Sequence, residues 1–563
     1  MKHAGFDYRF RDPLSHPKER GVPKPKYSRT IEDNMIIERD TCVRLRDAIR
    51  LYVDVLRPAD ESRAVPVIIS WTPYGKHQNG GAIYAANPGC DVKPGQVSKY
   101  ATFEAVDPAY WVPHGYAVVN VDIRGMYYSQ GTATFVSPEE ARDFYDVIEW
   151  AGTRQWSNGR VGLSGVSYLA VSQWRVAELK PPHLAAINPW EGWTDTYREI
   201  ALHGGIPDTW FWNQSIVPAW GCGTDKVEDL LRERAEHPFF DDYWKSKAVD
   251  FGKIDVPAFI VACWADQGLH ERGTLEGFKR IASGQKWLEV HGRKKWAYYY
   301  DPTNVERLRE FFDHFLKGTS ATVLRWPKVR LEIRERYFVG DMQPEHEWPI
   351  ARTQYRRLYL DCESGTMSPT PPSQSSSCSY DSLGGGPGAH RVQFEIQFQE
   401  PTDLIGHLKL KVWAHAPQAD DMDLYVGVYK YDAQGQFVPL SFYSFFNDGP
   451  VALGWLRASH RELDVARSTE YQPVLAHQRE LKLEPGEIVP LEIEIWPSGT
   501  HFSPGERLRL IVQGTDLQKY SKKRDAVYFR HEDTVNSGPH VLYTGGVYDS
   551  YLLVPVVPPR ETL

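Results

Sequence analysis

The stretch Arg160-Val161-Gly162-Leu163-Ser164-Gly165-Val166-Ser167-Tyr168-Leu169-Ala170 decides how the chain reads. Asn158-Gly159 supplies a turn in front of it. Val161 and Leu163 alternate with small residues, as in a buried strand, and Tyr168 to Ala177 carries the apolar spacing of a helix. Strand, sharp turn and helix give a G-x-S-x-G-like motif its meaning, because the turn pushes one hydroxyl out above the sheet edge. Ser167 is the expected nucleophile. The bland alternative is a helix N-cap with a glycine before it.

Working outward, β and α patterns alternate. Val65 to Trp71 is a nearly continuous apolar run, the mark of a fully buried strand, and it ends in Thr72-Pro73-Tyr74-Gly75-Lys76. Tyr116 to Asp122 and Leu184 to Asn188 read as strands, and Glu139 to Ala151 as a helix. Upstream, Met35–Asp40, Val43–Leu45 and Arg50–Leu56 are short alternating runs joined by Asp-containing turns, an antiparallel entry to the sheet. Downstream, Val256–Asp266 and Lys286–His291 are strands, with helices over Gly273–Ile281 and Asn304–Leu316. This alternation predicts a mostly parallel sheet with helices on both faces. Ligands bind at the C-terminal edge of such sheets.

The rhythm breaks over 190–250, where aromatic residues sit among helical stretches with no strand pattern. After Gly318 many short alternating runs separated by Gly, Pro and Ser turns predict an all-β sandwich. Residues 361–388 are Ser- and Gly-rich, and within them Pro369-Thr370-Pro371-Pro372 and the serines from Ser373 to Ser377 mark an exposed loop. The expected division is an arm over 1–34, an α/β domain over 35–189 and 251–320, an inserted helical cap over 190–250, and a β-sandwich over 321–563.

A serine hydroxyl is a poor nucleophile until a base takes its proton, and the base needs a carboxylate to orient it. On such a sheet the partners follow in the order Ser, acid, His, each just past a strand. Asp266 and His291 meet that demand. Among rivals, Asp255 precedes its strand, His270 falls within a few residues of Asp266, and His314 lies in a helix with Phe311, Phe312 and Phe315. The oxyanion of an acyl-transfer intermediate needs preset donors. The backbone N–H of Tyr168 is one candidate and the Tyr74 hydroxyl another, its bland alternative being an aromatic packed over a proline turn.

Composition narrows the rest. The 563 residues suggest two to four domains, and a net charge of -8 gives no footprint for nucleic acid or an anionic membrane. Cys42, Cys90, Cys222, Cys263, Cys362 and Cys378 are scattered without metal-ligand spacing, so they read as free thiols, with no metal and no cofactor expected. The N-terminus lacks an apolar signal-like region and no stretch reaches ~18 apolar residues, so the expected location is cytoplasmic. The expected partner is a small-molecule substrate, with a homo-oligomer left open.

Taken together, Thr72-Pro73-Tyr74-Gly75-Lys76, Val121-Asp122-Ile123-Arg124-Gly125 followed by Ser129-Gln130-Gly131, Gly165-Val166-Ser167-Tyr168, the Trp264-Ala265-Asp266 strand end and the C-terminal sandwich resemble the CocE/NonD hydrolases. These belong with the X-Pro dipeptidyl-peptidases, cocaine esterase and the α-amino acid ester hydrolases. The resemblance spans nearly the whole chain beyond the arm. It implies an α/β-hydrolase domain, a helical cap and a jelly-roll. It also implies acyl-enzyme chemistry with Ser167 as nucleophile, Asp266 as acid, His291 as base, and the Tyr74 hydroxyl and Tyr168 N–H as oxyanion donors. The chain departs from the family's pattern at Ala170, where glycine is frequent, at Met126-Tyr127-Tyr128, and around His291.

Trp190, Trp193, Trp210, Phe211, Trp212 and Trp264 are the expected walls of a pocket for an apolar or aromatic acyl group; the alternative is that they form the cap's own core. The leading expectation is a serine esterase for small carboxylic esters. Beside it stand an amidase or X-Pro dipeptidyl-peptidase, an acyltransferase or cyclase, and a non-catalytic protein that binds through its β-sandwich.

Overall fold

The structure, a computed structural model, describes residues 6–384, 390–520 and 528–559. The first five residues of the expected arm and residues 385–388 of the Ser/Gly-rich loop lie outside the described residues.

The central sheet contains β1 (Met35–Arg44), β2 (Arg50–Pro58), β3 (Val65–Thr72), β4 (Ala117–Asp122), β5 (Ser157–Val166), β6 (Leu184–Trp190), β7 (Ala258–Cys263), β8 (Lys286–His291) and β9 (Val329–Arg336). Its spatial order is β1-β2-β4-β3-β5-β6-β7-β8-β9. β1, β2 and β4 pair antiparallel, and every pairing from β4 onward is parallel. The parallel strands are buried on both faces, which is why they read as continuous apolar runs. On one face α1 (Pro138–Gly152) and α2 (Tyr168–Ala177) bury Phe144, Val147 and Trp174. On the other, α5 (Pro302–Phe312) buries Phe311 and Phe312; α3 (Glu271–Arg280) and α4 (Lys295–Tyr299) precede it in the chain.

Met35–Asp40 and the run that begins at Val43, expected as separate, share one strand, Met35–Arg44, with Leu45 just past its end. Its register slips between Glu38 and Thr41, and Asp40 takes a left-handed φ of 53°. Such a bulge re-aims a side chain, and the Asp40 carboxylate lies 2.6 Å from the Lys76 ammonium.

Residues 190–250 hold short helices at Leu230–Glu236 and Asp242–Ser246 and wide turns at Tyr197–Ala201 and Phe211–Ile216. They also hold a two-residue antiparallel pair, Leu202–His203 with Ile206–Pro207, which the absence of an apolar alternation did not announce.

Beyond β10 (Val339–Glu345), the C-terminal region is β-rich. β11 (Gln354–Asp361), β12 (Ser376–Asp381), β13 (Arg391–Gln397), β14 (Thr402–His415), β15 (Asp423–Tyr431), β16 (Ala452–Arg457), β17 (Val489–Phe502), β18 (Arg507–Gln513), β19 (Pro539–Thr544) and β20 (Tyr551–Val557) build it. β14 pairs with β17, β19 and β20, while β13, β18, β15 and β16 pair in sequence. Leu410, Val412, Leu491, Ile493, Leu508 and Leu510 are in the core between them.

The expectation of free thiols is corrected at two positions. Cys362 and Cys378 form a disulfide across 16 residues, with Cα atoms 5.3 Å apart. Chain folding between β11 and β12 brings them together, a proximity that linear spacing does not reveal. Cys42, Cys90, Cys222 and Cys263 are free.

Candidate active site

β5 ends in the serine turn. Ser167 has φ 59° and ψ -119°, a conformation costly for any residue with a Cβ. The surroundings fix it. Ser167 N–H faces the carbonyls of Trp190 and Glu191 at 3.1 Å each, and Val166 N–H donates to the Glu104 carbonyl at 3.0 Å. Gly165 has φ 155°, and a Cβ there would stand 2.5 Å from Leu169 Cβ. Where the family frequently has glycine, Ala170 fits because its neighbour is Gly192; a Cβ on Gly192 would come within 2.7 Å of the Ala170 methyl.

Ser167 Oγ lies 3.1 Å from Nε2 of His270. The Nδ1 of the same ring meets Oδ2 of Asp266, four residues earlier in the chain. The loop after β7 turns back on itself, with His270 N–H directed at the Asp266 carbonyl, so one turn delivers both side chains. Trp193 stacks against the imidazole at 5.8 Å, and both rings are buried. Lys295, at the start of α4, donates to Asp266 Oδ2 at 2.7 Å and sits 2.9 Å from His270 Nδ1. Burial alone would raise the Asp266 carboxyl, but Lys295 and His270 outweigh it and hold it well below the usual carboxylate range. Burial and the Lys295 charge push the His270 imidazole down to about 4, against the attraction of Asp266. At neutral pH His270 is therefore an uncharged base facing a serine hydroxyl.

The expected partnership of Ser167 with His291 is corrected. His291 ends β8 opposite Cys263, and its Nε2 donates to Glu191 Oε1 at 3.0 Å. Its Nδ1 accepts from Arg293 N–H at 3.1 Å, and the ring stacks on Tyr298. Both nitrogens are thus engaged in a layer behind the Asp266–Lys295 pair. His270 lies so near Asp266 in sequence that it reads as local turn chemistry; the i,i+4 spacing is the signal that points to it.

Glu191, Cys263 and His291 bring three donor atoms within 4.8 Å of one another, all buried. Burial and the neighbouring carboxylates keep the Cys263 thiol protonated, its Sγ lies 3.1 Å from the Arg293 carbonyl, and His291 is bonded at both nitrogens. These groups form a protein hydrogen-bond cluster rather than an open ligand set.

Tyr74 reaches Ser167 from the loop after β3. Gly75, at φ 104°, makes the turn, and a Cβ there would strike the Tyr127 ring at 2.5 Å. Tyr127 donates to the Tyr74 carbonyl, and Lys76 anchors the loop to Asp40, Asp54 and Asp122. Tyr74 and Ser167 line the same cavity, and burial, reinforced by Glu104, holds the Tyr74 pKa far above the usual range, so its hydroxyl keeps its proton. Tyr168 opens α2, where a backbone N–H has no intrahelical acceptor. Its side chain points into the core, donating to Glu140, which also accepts from Trp71.

A cavity of about 320 Å³ opens above Ser167 and His270. Its apolar walls include Tyr84, Phe103, Phe211, Leu269, Trp296 and Phe445. Of the six aromatic residues expected to line a pocket, only Phe211 does. Trp190 packs on Tyr299, Trp193 lies behind His270, Trp212 donates to the Leu230 carbonyl, and Arg530 covers Trp210. Trp264 is sealed at the seam with the C-terminal region, donating to the Glu332 carbonyl against Trp348. Large aromatic surfaces went to packing. The cavity's other aromatic residues come from the 74–103 segment, Trp296 and the 443–445 segment.

Residues 47–219 match the family model described as X-Pro dipeptidyl-peptidase (S15 family), and residues 322–553 match that of the X-Pro dipeptidyl-peptidase C-terminal non-catalytic domain. Cocaine esterase of Rhodococcus sp. (strain MB1 Bresler) is 23% identical over 627 residues, covering 94% of this chain and all of that one. A crystal structure of an α-amino acid ester hydrolase shares the fold, with TM-score 0.72 and 16% identity over 95% of this chain and 98% of the other. These matches define a class, hydrolases with an N-terminal catalytic domain and a β-rich, non-catalytic C-terminal one. A CocE/NonD family hydrolase from Staphylococcus aureus is 41% identical with TM-score 0.90, covering 97% of this chain and 98% of that one. The chain belongs to the CocE/NonD hydrolase family.

Proposed function

We propose that the protein is a serine hydrolase that cleaves small carboxylic esters through an acyl-enzyme. The observation that carries this reading is the 3.1 Å approach of His270 Nε2 to Ser167 Oγ, with Asp266 on the other ring nitrogen. His270 takes the serine proton as Oγ attacks the ester carbonyl, and returns it to the leaving alkoxide. Asp266, fixed by Lys295, stabilises the imidazolium formed in between. The Tyr74 hydroxyl and the Tyr168 N–H receive the oxyanion. Water then repeats the sequence on the acyl-enzyme.

Cleavage of X-Pro dipeptides is the second reading, favoured by the match of residues 47–219 to the S15 model. In both, a small molecule fills the cavity. The same reading assigns an α/β-hydrolase domain to 35–189 and 251–320, a cap to 190–250 and a jelly-roll to 321–563, in a cytoplasmic protein; among the described residues no helix is long and apolar enough to cross a membrane.

The test is labelling with a fluorophosphonate. Ser167 becomes modified in the native protein and not in Ser167→Ala; folded native protein that takes no label overturns the reading. Turnover of p-nitrophenyl esters against X-Pro anilides ranks the two substrate classes.

A further inference from the structure

Glu104 is the cavity residue that the chemistry at Ser167 leaves without a task. It is 2% exposed, has a left-handed φ of 64°, and its carbonyl holds the serine turn through Val166 N–H. A non-glycine residue kept in that conformation next to a nucleophile is strain retained at a functional site. Glu104 is one of the residues that line the cavity. Oε1 accepts from the Trp296 indole N–H at 3.0 Å, while Oε2 is buried with no hydrogen-bond partner among the described residues. A buried polar atom without a partner carries a desolvation cost that a bound ligand can relieve.

We propose that Glu104 sets substrate choice by donating a hydrogen bond from Oε2 to an uncharged oxygen on an otherwise apolar acyl group bound beside Ser167. The inference rests on the serine-hydrolase reading above. The charges around the cavity favour the acid form. Two cations line the cavity: Arg20, which donates to Ser15 Oγ and the Pro218 carbonyl, and Lys295, already engaged by Asp266 at 2.7 Å, with Glu191 at 3.9 Å. Burial raises the Glu104 carboxyl to about 8; Asp266 and Glu191 add to that, while Lys295 and the Trp296 hydrogen bond offset part of it. Near neutral pH the carboxyl therefore holds a proton. Oε1 is then the carbonyl oxygen that suits the indole N–H, and Oε2–H is a buried donor without an acceptor among the described residues. An ether, carbonyl or hydroxyl oxygen of the substrate satisfies it without bringing a new charge into the pocket. A site built around such a donor discriminates against the isostere that lacks the acceptor.

The experiment compares p-nitrophenyl phenoxyacetate with p-nitrophenyl 3-phenylpropanoate, which differ by an ether oxygen in place of a methylene, and adds the phenylalanine ester as the ammonium-bearing case. The ratio of kcat/KM for the first two, divided by the same ratio for hydroxide-catalysed hydrolysis, is measured in the native protein, Glu104→Gln and Glu104→Leu. The expected native value is about tenfold above unity, preserved within about threefold by glutamine, which keeps a donor, and lost in leucine. A native value near unity overturns the inference without any variant, as does a value unchanged in Glu104→Leu. A phenylalanine ester that is the best of the three, with that preference abolished in Glu104→Gln, overturns it in favour of an ammonium site. Fluorophosphonate labelling of Ser167 in the same samples separates the two levels: labelled protein with no oxygen preference sinks this inference alone, and unlabelled folded protein sinks the hydrolase reading.

Discussion

His270 follows Asp266 by one helical-type turn, and its Nε2 lies 3.1 Å from Ser167 Oγ while Nδ1 meets the Asp266 carboxylate. The proposed base and its orienting acid thus ride on one short segment after β7, instead of arriving on separate strand ends. Removing the ring breaks proton transfer outright. His270→Ala is expected to lower kcat about 10⁴-fold with little change in KM. His291→Ala instead leaves Glu191 without its partner in the buried layer, costing about 1–3 kcal/mol of stability and lowering kcat by no more than about tenfold. Steady-state kinetics beside urea denaturation distinguishes the two; an inverse pattern would restore His291 as the base.

In the proposed mechanism Lys295 sets the acidic limit of activity. His270 is held down to about 4, first by burial and then by the adjacent ammonium. The neutral imidazole is the active form, so kcat/KM of the native protein falls only as pH drops through about 4. Lys295→Met removes the repulsion, the imidazole pKa rises, and the acid limb moves to higher pH. A profile of kcat/KM against pH reads this directly. An unmoved limb in the variant would mean that Lys295 does not tune the base.

Tyr74→Phe deletes one proposed oxyanion donor and keeps the ring that packs edge-on against Phe103. The expected result is a loss of about 10²–10³ in kcat at nearly constant KM, with fold stability little changed. A loss confined to KM would instead assign the hydroxyl to ground-state binding.

Gly192 and Ala170 are a matched pair. Gly192→Ala brings a Cβ within 2.7 Å of the Ala170 methyl and crowds the backbone at Val171, a cost of about 1–3 kcal/mol. Adding Ala170→Gly recovers part of that loss. The double-mutant cycle therefore shows a favourable coupling, read from denaturation midpoints; strict additivity would mean that the methyl is not the obstacle.

The sequence made Ser167, Tyr74 and Asp266 legible because each stands just past an apolar run, and strand periodicity survives in linear order. His270 was not, since a histidine four residues after an acid looks like local turn chemistry until the loop is seen to fold back. The aromatic count pointed to a pocket, but periodicity cannot say which rings face a void. Trp193, Trp212 and Trp264 are buried in packing, and Phe103, Trp296 and Phe445 meet only in three dimensions. The Cys362–Cys378 bond was hidden for the same reason.

Tyr443 and Ser444 both adopt left-handed backbone, and Tyr443 N–H donates to the carbonyl of Ala265 at 2.7 Å, one residue before Asp266. Tyr443 and Phe445 then form part of the cavity wall. The region whose family description is non-catalytic therefore shapes part of the cavity proposed to hold the substrate. Swapping C-terminal regions between related chains would transplant a preference for acyl groups while every reacting atom stayed in place. In such a lineage, selectivity can be inherited separately from chemistry.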